Sequence, residues 1–168
     1  ALTGTSSNIT TTYGAATKYL VTSSSYSPVA GATVTITAQL ADVNGNAVPT
    51  SGKTVTWSKS NGNGSFASAT SLTDSDGKAT VVFTTHTVSS TTTTVTATDD
   101  TAGTALTGTS SNITTTYGAA TKLAVSAPAS TTNRDTLPSS VVVEVQDANG
   151  NRVENDNGRS VSLTRKSG

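Results

Sequence analysis

Cysteine and methionine are both missing from the 168 residues. Without cysteine there is no disulfide framework and no thiolate metal site, which disfavours a stapled extracellular domain of the eukaryotic kind and fits bacterial surface proteins, where cysteine is often avoided. Aromatic residues make up 4% and charged residues 12%, with ten basic side chains balancing ten acidic ones. The basic residues, among them Arg134, Arg152, Arg159, Arg165 and Lys166, stand apart from one another and form no stripe suited to a phosphate backbone, so nucleic acid is excluded as a partner. No apolar run approaches the roughly 20 residues of a membrane-spanning helix. The single histidine, His86, has no second histidine or cysteine to complete a metal site, and no serine sits in a nucleophile-elbow sequence. His86 reads as a solvated loop residue, and the expectation is that the chain is not an enzyme.

What the sequence has in abundance is threonine, and a repeat. ALTGTSSNITTTYGAATK occupies residues 1–18 and recurs without change at 105–122, an offset of 104 residues. That is the size of one small all-β domain. The likeness continues in weaker form: Asp42-Val43-Asn44-Gly45-Asn46 returns as Asp147-Ala148-Asn149-Gly150-Asn151, displaced by one further residue, and Gly52, Val55 and Trp57 find Gly158, Val161 and Leu163. The expected organisation is therefore residues 1–18 as the C-terminal strands and linker of one domain, 19–122 as a complete domain with its exit linker, and 123–168 as the front of a following domain. The N-terminal segment duplicates an internal one and does not read as a signal peptide, so export signals and anchors are expected outside this segment.

Period-two alternation locates the strands. In Thr33–Leu40, Val34, Ile36, Ala38 and Leu40 face one way while Thr33, Thr35, Thr37 and Gln39 face the other. The same pattern runs through Thr54–Trp57, Lys78–Thr84 and Thr94–Ala97, with Tyr19 and Val21 on a first strand and Ile113 on a last. Asn44-Gly45, Asn61-Gly62-Asn63-Gly64 and Asp74-Ser75-Asp76-Gly77 supply turns that tolerate positive φ. About seven short strands in roughly 100 residues predict a β-sandwich. Its core should hold Val34, Ile36, Leu40, Val55, Trp57, Val81, Phe83 and Val95, with Thr35, Thr37, Thr56 and Thr80 at the surface.

The strand-and-turn sequence ITAQLADVNGNAVPTSGKTVTW, GSFAS, TDSDGKATVVF and TTVTAT, followed by a second start at ATKLAVSAPAS, resembles the bacterial immunoglobulin-like domains of the invasin and intimin type. The resemblance implies an all-β chain of tandem immunoglobulin-like antiparallel sandwiches in an extended array, exposed on a bacterial cell surface. Adhesins and surface-layer proteins both use such arrays. No segment resembles the lectin-like head of invasin-type tips. The implied partners are neighbouring immunoglobulin-like domains of the same chain or of identical subunits. A cell-wall or host glycan or protein is the alternative partner, for an adhesin module that binds its receptor directly; Tyr26, Trp57 and Tyr117 are then the candidate contacts.

No cofactor is expected, with calcium as the one alternative. Asp42–Asn46 and Asp74–Gly77 imitate the first half of an EF-hand loop but lack the glycine at its sixth position and the glutamate at its twelfth, so both read as turns. Asp99 and Asp100 are adjacent carboxylates in a loop and are the candidate calcium ligands. The connectors Tyr13–Lys18 and Tyr117–Lys122 span at most about 20 Å when extended, so consecutive domains must touch or nearly touch. The strand near Thr116 should run on through its connector into the next domain, with Tyr117 wedged between the two.

Overall fold

A computed structural model describes residues 1–99, 104–126 and 141–164. The described residues form twelve strands: β1 Ala16–Ser23, β2 Thr33–Asp42, β3 Thr54–Lys59, β4 Ser65–Phe66, β5 Thr70–Leu72, β6 Lys78–Thr84, β7 Thr92–Thr93, β8 Val95–Asp99, β9 Thr107–Thr109, β10 Ile113–Thr114, β11 Lys122–Ser126 and β12 Val142–Gln146. One four-stranded sheet runs β1-β2-β6-β4 and the other β5-β3-β8-β9. All the ladders are antiparallel. This is the two-layer arrangement of an immunoglobulin-like sandwich.

The alternation sets which face of each sheet is buried. Tyr19, Val21, Val34, Ile36, Leu40, Val81 and Phe83 from the first sheet meet Val55, Trp57, Val95 and Ala97 from the second in one core, joined by Ile113. All eight residues expected in the core are buried, and Thr35, Thr56 and Thr80 face solvent while Thr37 is half-buried. Phe66 leans on Phe83 with ring centroids 5.0 Å apart. On the wet face of the second sheet threonines pair across strands: Thr96 with Thr109 at 2.9 Å and Thr98 with Thr107 at 3.4 Å. Such pairs stiffen a solvated ladder without burying anything.

Gly108 fixes how closely the two layers approach. A β-carbon there would lie 1.9 Å from the Tyr19 carbonyl oxygen, so only glycine lets β9 pass β1.

Beyond the sandwich, β11 and β12 repeat the pairing of β1 and β2. Leu123 opposes Val145 as Tyr19 opposes Leu40, and Val125 opposes Val143 as Val21 opposes Ala38. The likeness extends past the hairpin, where the Ala41–Ala47 bridge is matched by Gln146–Arg152. The two hairpins differ in cover. Tyr19 and Val21 are 3% and 7% exposed, Leu123 and Val125 46% and 58%, because among the described residues no second sheet lies over the latter.

Two expectations are corrected. Residues 1–15 form no strand, although the same sequence at 105–119 supplies β9 and β10. The ladders that hold β9 and β10 are offered by β8 and β7, and residues 1–15 have no such neighbours among the described residues. Nor does a strand run unbroken through the second connector. β10 ends at Thr114 and β11 begins at Lys122; between them the N–H of Thr116 goes to the Pro28 carbonyl and that of Gly118 to the Asp147 carboxylate, so the connector turns aside from a continuous ladder.

Candidate junction site

The D-x-N-G-N loops, read from sequence as simple turns, are hydrogen-bonded well beyond the turn itself. Asp42 ends β2 with its carboxylate 1% exposed. Oδ1 accepts the backbone N–H groups of Asn44 and Asn46 at 3.0 and 2.8 Å, closing the loop on itself, and Gly45 takes the positive φ of 87° that the tight turn requires. Oδ2 accepts the Asn46 side-chain amide at 3.0 Å and, from 28 residues upstream, the backbone N–H of Gly14 at 2.8 Å. Lys18 adds a bond from Nζ to the Val43 carbonyl at 3.1 Å. The loop is thus a socket for the connector.

Asp147 builds the same socket. Its Oδ1 accepts Asn151 N–H at 2.8 Å, its Oδ2 accepts Asn151 Nδ2 at 3.0 Å and Gly118 N–H at 2.8 Å, and Lys122 Nζ reaches the Ala148 carbonyl at 3.3 Å. N–H groups converge on each carboxylate, which is the surrounding of an anion and not of a cation. Both acids are consequently held at about 2, below the ordinary 3.8. The largest cause in each is the connector's N–H, Gly14 for Asp42 and Gly118 for Asp147, with burial opposing. Asp74 closes a third turn alike, accepting from Asp76 and Lys78 N–H at 2.9 Å each, but no connector reaches it.

At the second socket the loop also grips the sandwich before it. Asn149 Nδ2 donates to the Ala30 carbonyl at 2.8 Å, Asn151 Nδ2 donates to the Thr87 carbonyl at 2.9 Å, and Asn151 Oδ1 accepts Ser89 N–H at 2.8 Å. The receiving pole is shaped by residues 28–32 and 86–90. Thr116 and Val29 form a parallel bridge, His86 accepts Gly31 N–H on its carbonyl and Val88 N–H on Nδ1, and Ser90 sits at φ 59° with its N–H on the Thr115 carbonyl. A non-glycine residue at that φ costs on the order of 1–2 kcal/mol, which the surrounding hydrogen bonds hold in place. Gly118 lies between the parts: a β-carbon there would be 3.3 Å from Val29 Cγ1 and 3.5 Å from Asp147 Oδ2.

The residues singled out from sequence fare differently. Asp99 is 3% exposed on β8, its Oδ1 accepting Leu106 N–H at 2.9 Å and its Oδ2 the Tyr19 hydroxyl at 3.3 Å. It ties β8 to β1 and to the approach of β9. Asp100 lies outside the described residues. Among the described residues no three His, Asp or Glu side chains are grouped as metal ligands. His86 is half-buried and shapes the receiving pole instead of standing in solvent. Tyr117 is half-buried, and the atoms that make the junction belong to Ala30, Thr87, Ser89, Gly118, Asp147, Asn149 and Asn151. A sequence signal for them existed. The connector and the D-x-N-G-N loop recur together, with 28 residues between bonded partners in one copy and 29 in the other.

The junction should weaken in acid. Because the folded carboxylate titrates at about 2 against an ordinary 3.8, its contribution is complete above pH 3.8 and is lost as pH falls toward 2. Asp147→Asn is expected to loosen the junction at neutral pH, since an amide turns two of its hydrogens toward N–H donors that need an acceptor. NMR relaxation checks both: the β11–β12 hairpin should tumble apart from the sandwich in the variant and in wild type near pH 2, and move with it in wild type at pH 5.

No family model matches the chain, and no curated protein does. Solved structures match in part. A D00-D0 fragment of intimin is 22% identical with a TM-score of 0.46, over 56% of this chain and 45% of that one. Domains 5–6 of the S-layer protein SbsC are 18% identical with a TM-score of 0.40, over 82% and 65%. A Parabacteroides merdae β-glucuronidase is 19% identical with a TM-score of 0.48, over 64% of this chain and 13% of the enzyme. The chain thus spans less than half of the intimin fragment and a small part of the glucuronidase, and no catalytic property follows from the latter.

Proposed function

We propose that the chain is a structural repeat segment of a bacterial cell-surface protein, a stalk or surface-layer component in which units like residues 19–122 are joined end to end. Its role is to supply length, stiffness and contacts for self-assembly. The observation that carries this reading is the doubled socket: Gly14 on Asp42 and Gly118 on Asp147, each at 2.8 Å, with lysines 18 and 122 bonded alike to the loops. At the second junction the connector is bonded to the following loop, and that loop is bonded through Asn149 and Asn151 to the sandwich before it, which fixes orientation as a flexible tether does not. The hydroxyl-lined outer faces and the net charge of zero suit a solvated rod. Trp57 is 5% exposed and therefore not available for stacking on a glycan, and Tyr13 and Tyr26 are exposed singly.

Small-angle scattering on chains carrying one, two and three copies of the 104-residue unit tests the proposal. The maximum dimension should grow by a constant increment per copy, with the scattering of a rod. A dimension rising as the square root of copy number, as for freely jointed beads, would overturn it.

A further inference from the structure

The two D-x-N-G-N loops share the bonds of the aspartate to the second asparagine and to the connector glycine, and differ in what faces them. Asn151 is 8% exposed because the pole formed by Ala30, Thr87 and Ser89 sits on it, whereas Asn46, its counterpart, is exposed. Asn44 and Asn149 are both exposed, but Asn149 spends its amide on the Ala30 carbonyl, whereas the side chain of Asn44 makes no hydrogen bond among the described residues. The first loop is nevertheless fully formed, with Asp42 bonded to Gly14, Asn44 and Asn46 as Asp147 is to its own connector. It is formed like the second loop, but among the described residues no pole faces it.

We infer that the Asn44–Asn46 pole is a docking surface for the opposite pole of another copy of this sandwich, the one built from residues 28–32 and 86–90. The occupant is specified by chemistry: a backbone carbonyl for the Asn44 amide, a second carbonyl for the Asn46 amide, and a backbone N–H for the Asn46 Oδ1, spaced as Ala30, Thr87 and Ser89 space them. It is also specified by delivery. Residues 1–18 are identical to 105–122, so a copy of residues 19–104 placed ahead of Ala1 is read into the first socket through the same connector that leads from the sandwich into the second. Docking engages the Asn44 and Asn46 amides as Asn149 and Asn151 are engaged and leaves Asp42 as it is, because the carboxylate faces its own loop. This inference rests on the array reading above.

The test joins residues 19–104 ahead of the full 168-residue chain, which reproduces the natural sequence across the new junction, and follows the asparagine side-chain amides by NMR. In the 168-residue chain the amides of Asn149 and Asn151 should exchange more slowly with water than those of Asn44 and Asn46. In the extended chain the amides of Asn44 and Asn46 should slow by about tenfold or more and take on shifts like those of Asn149 and Asn151. Asn44→Ala, which removes no bond present in the 168-residue chain, should leave every sandwich folded and let the added copy tumble more freely. If the added copy folds and the rod lengthens while Asn44 and Asn46 exchange as fast as before, the docking inference is overturned and the array reading stands. Failure of the added copy to form a folded unit would overturn both. Slow exchange of Asn44 and Asn46 in the unextended chain at high protein concentration would support the same surface acting between separate chains.

Discussion

Replacing Trp57 with alanine is expected to cost about 3–5 kcal/mol, enough to bring a sandwich of ordinary stability, about 5–15 kcal/mol, to the edge of unfolding. Trp57 lies on β3 with 5% of its surface exposed, packed in the core between the layers, and its indole Nε1 donates to Ser71 Oγ at 3.0 Å on β5. The substitution opens a cavity in the middle of the only core the described residues form, and one side-chain hydrogen bond between β3 and β5 is lost while their backbone ladder remains. The melting temperature should fall by roughly 15–30 °C for a unit of this size. Trp57→Phe keeps most of the volume and drops the hydrogen bond, so a loss of about 1–2 kcal/mol is expected. Trp57 is the single tryptophan, so calorimetry or far-UV circular dichroism must follow both variants. A fall of less than about 1 kcal/mol for the alanine variant would show that the core is not organised around this side chain.

The second large effect comes as a matched pair. Ile9 and Ile113 have identical neighbours for eight residues on one side and nine on the other, yet Ile9 is 91% exposed and Ile113 is 1% exposed. In the 168-residue chain Ile113→Ala should cost about 2–5 kcal/mol, and Ile9→Ala should fall within about 0.5 kcal/mol of zero. The glycines of the same repeat offer an independent version. A β-carbon at Gly108 meets the Tyr19 carbonyl oxygen at 1.9 Å and its carbon at 2.6 Å, and this is backbone that no rotamer change moves; at Gly4 it meets nothing within 4 Å. Gly108→Ala should therefore destabilise by about 1–3 kcal/mol or more, and Gly4→Ala should not. Urea midpoints of the four variants read the outcome. Equal losses at Ile9 and Ile113 would mean that the first copy is packed in a sheet as the second is.

Much of the fold was legible because it depends on local rules. Period-two alternation chose the inward face of β2, β3, β6 and β8 correctly, since a strand cannot slip by one residue without turning every side chain over. The Asn-Gly and Asp-x-Asp-Gly runs marked turns, since few residues other than glycine accept φ near +80°. The junction was harder. That Asp42 and Asp147 close turns can be read from their loops, but that each also accepts an N–H from a connector almost thirty residues away depends on where the chain comes to lie. Asn149 reaches still further, 119 residues, to Ala30.

The eighteen-residue repeat separates the two kinds of information. Its sequence determined that both copies are β-prone and able to lay Lys18 or Lys122 across a waiting loop. Tertiary structure decided the rest. At 105–122 the strands β8 and β7 accept its backbone and the core closes over Ile113, while at 1–15 no neighbouring strand among the described residues offers a ladder and Ile9 stays in water. A strand satisfies its hydrogen bonds with another strand, so its fate is set by what lies beside it and not by its own residues.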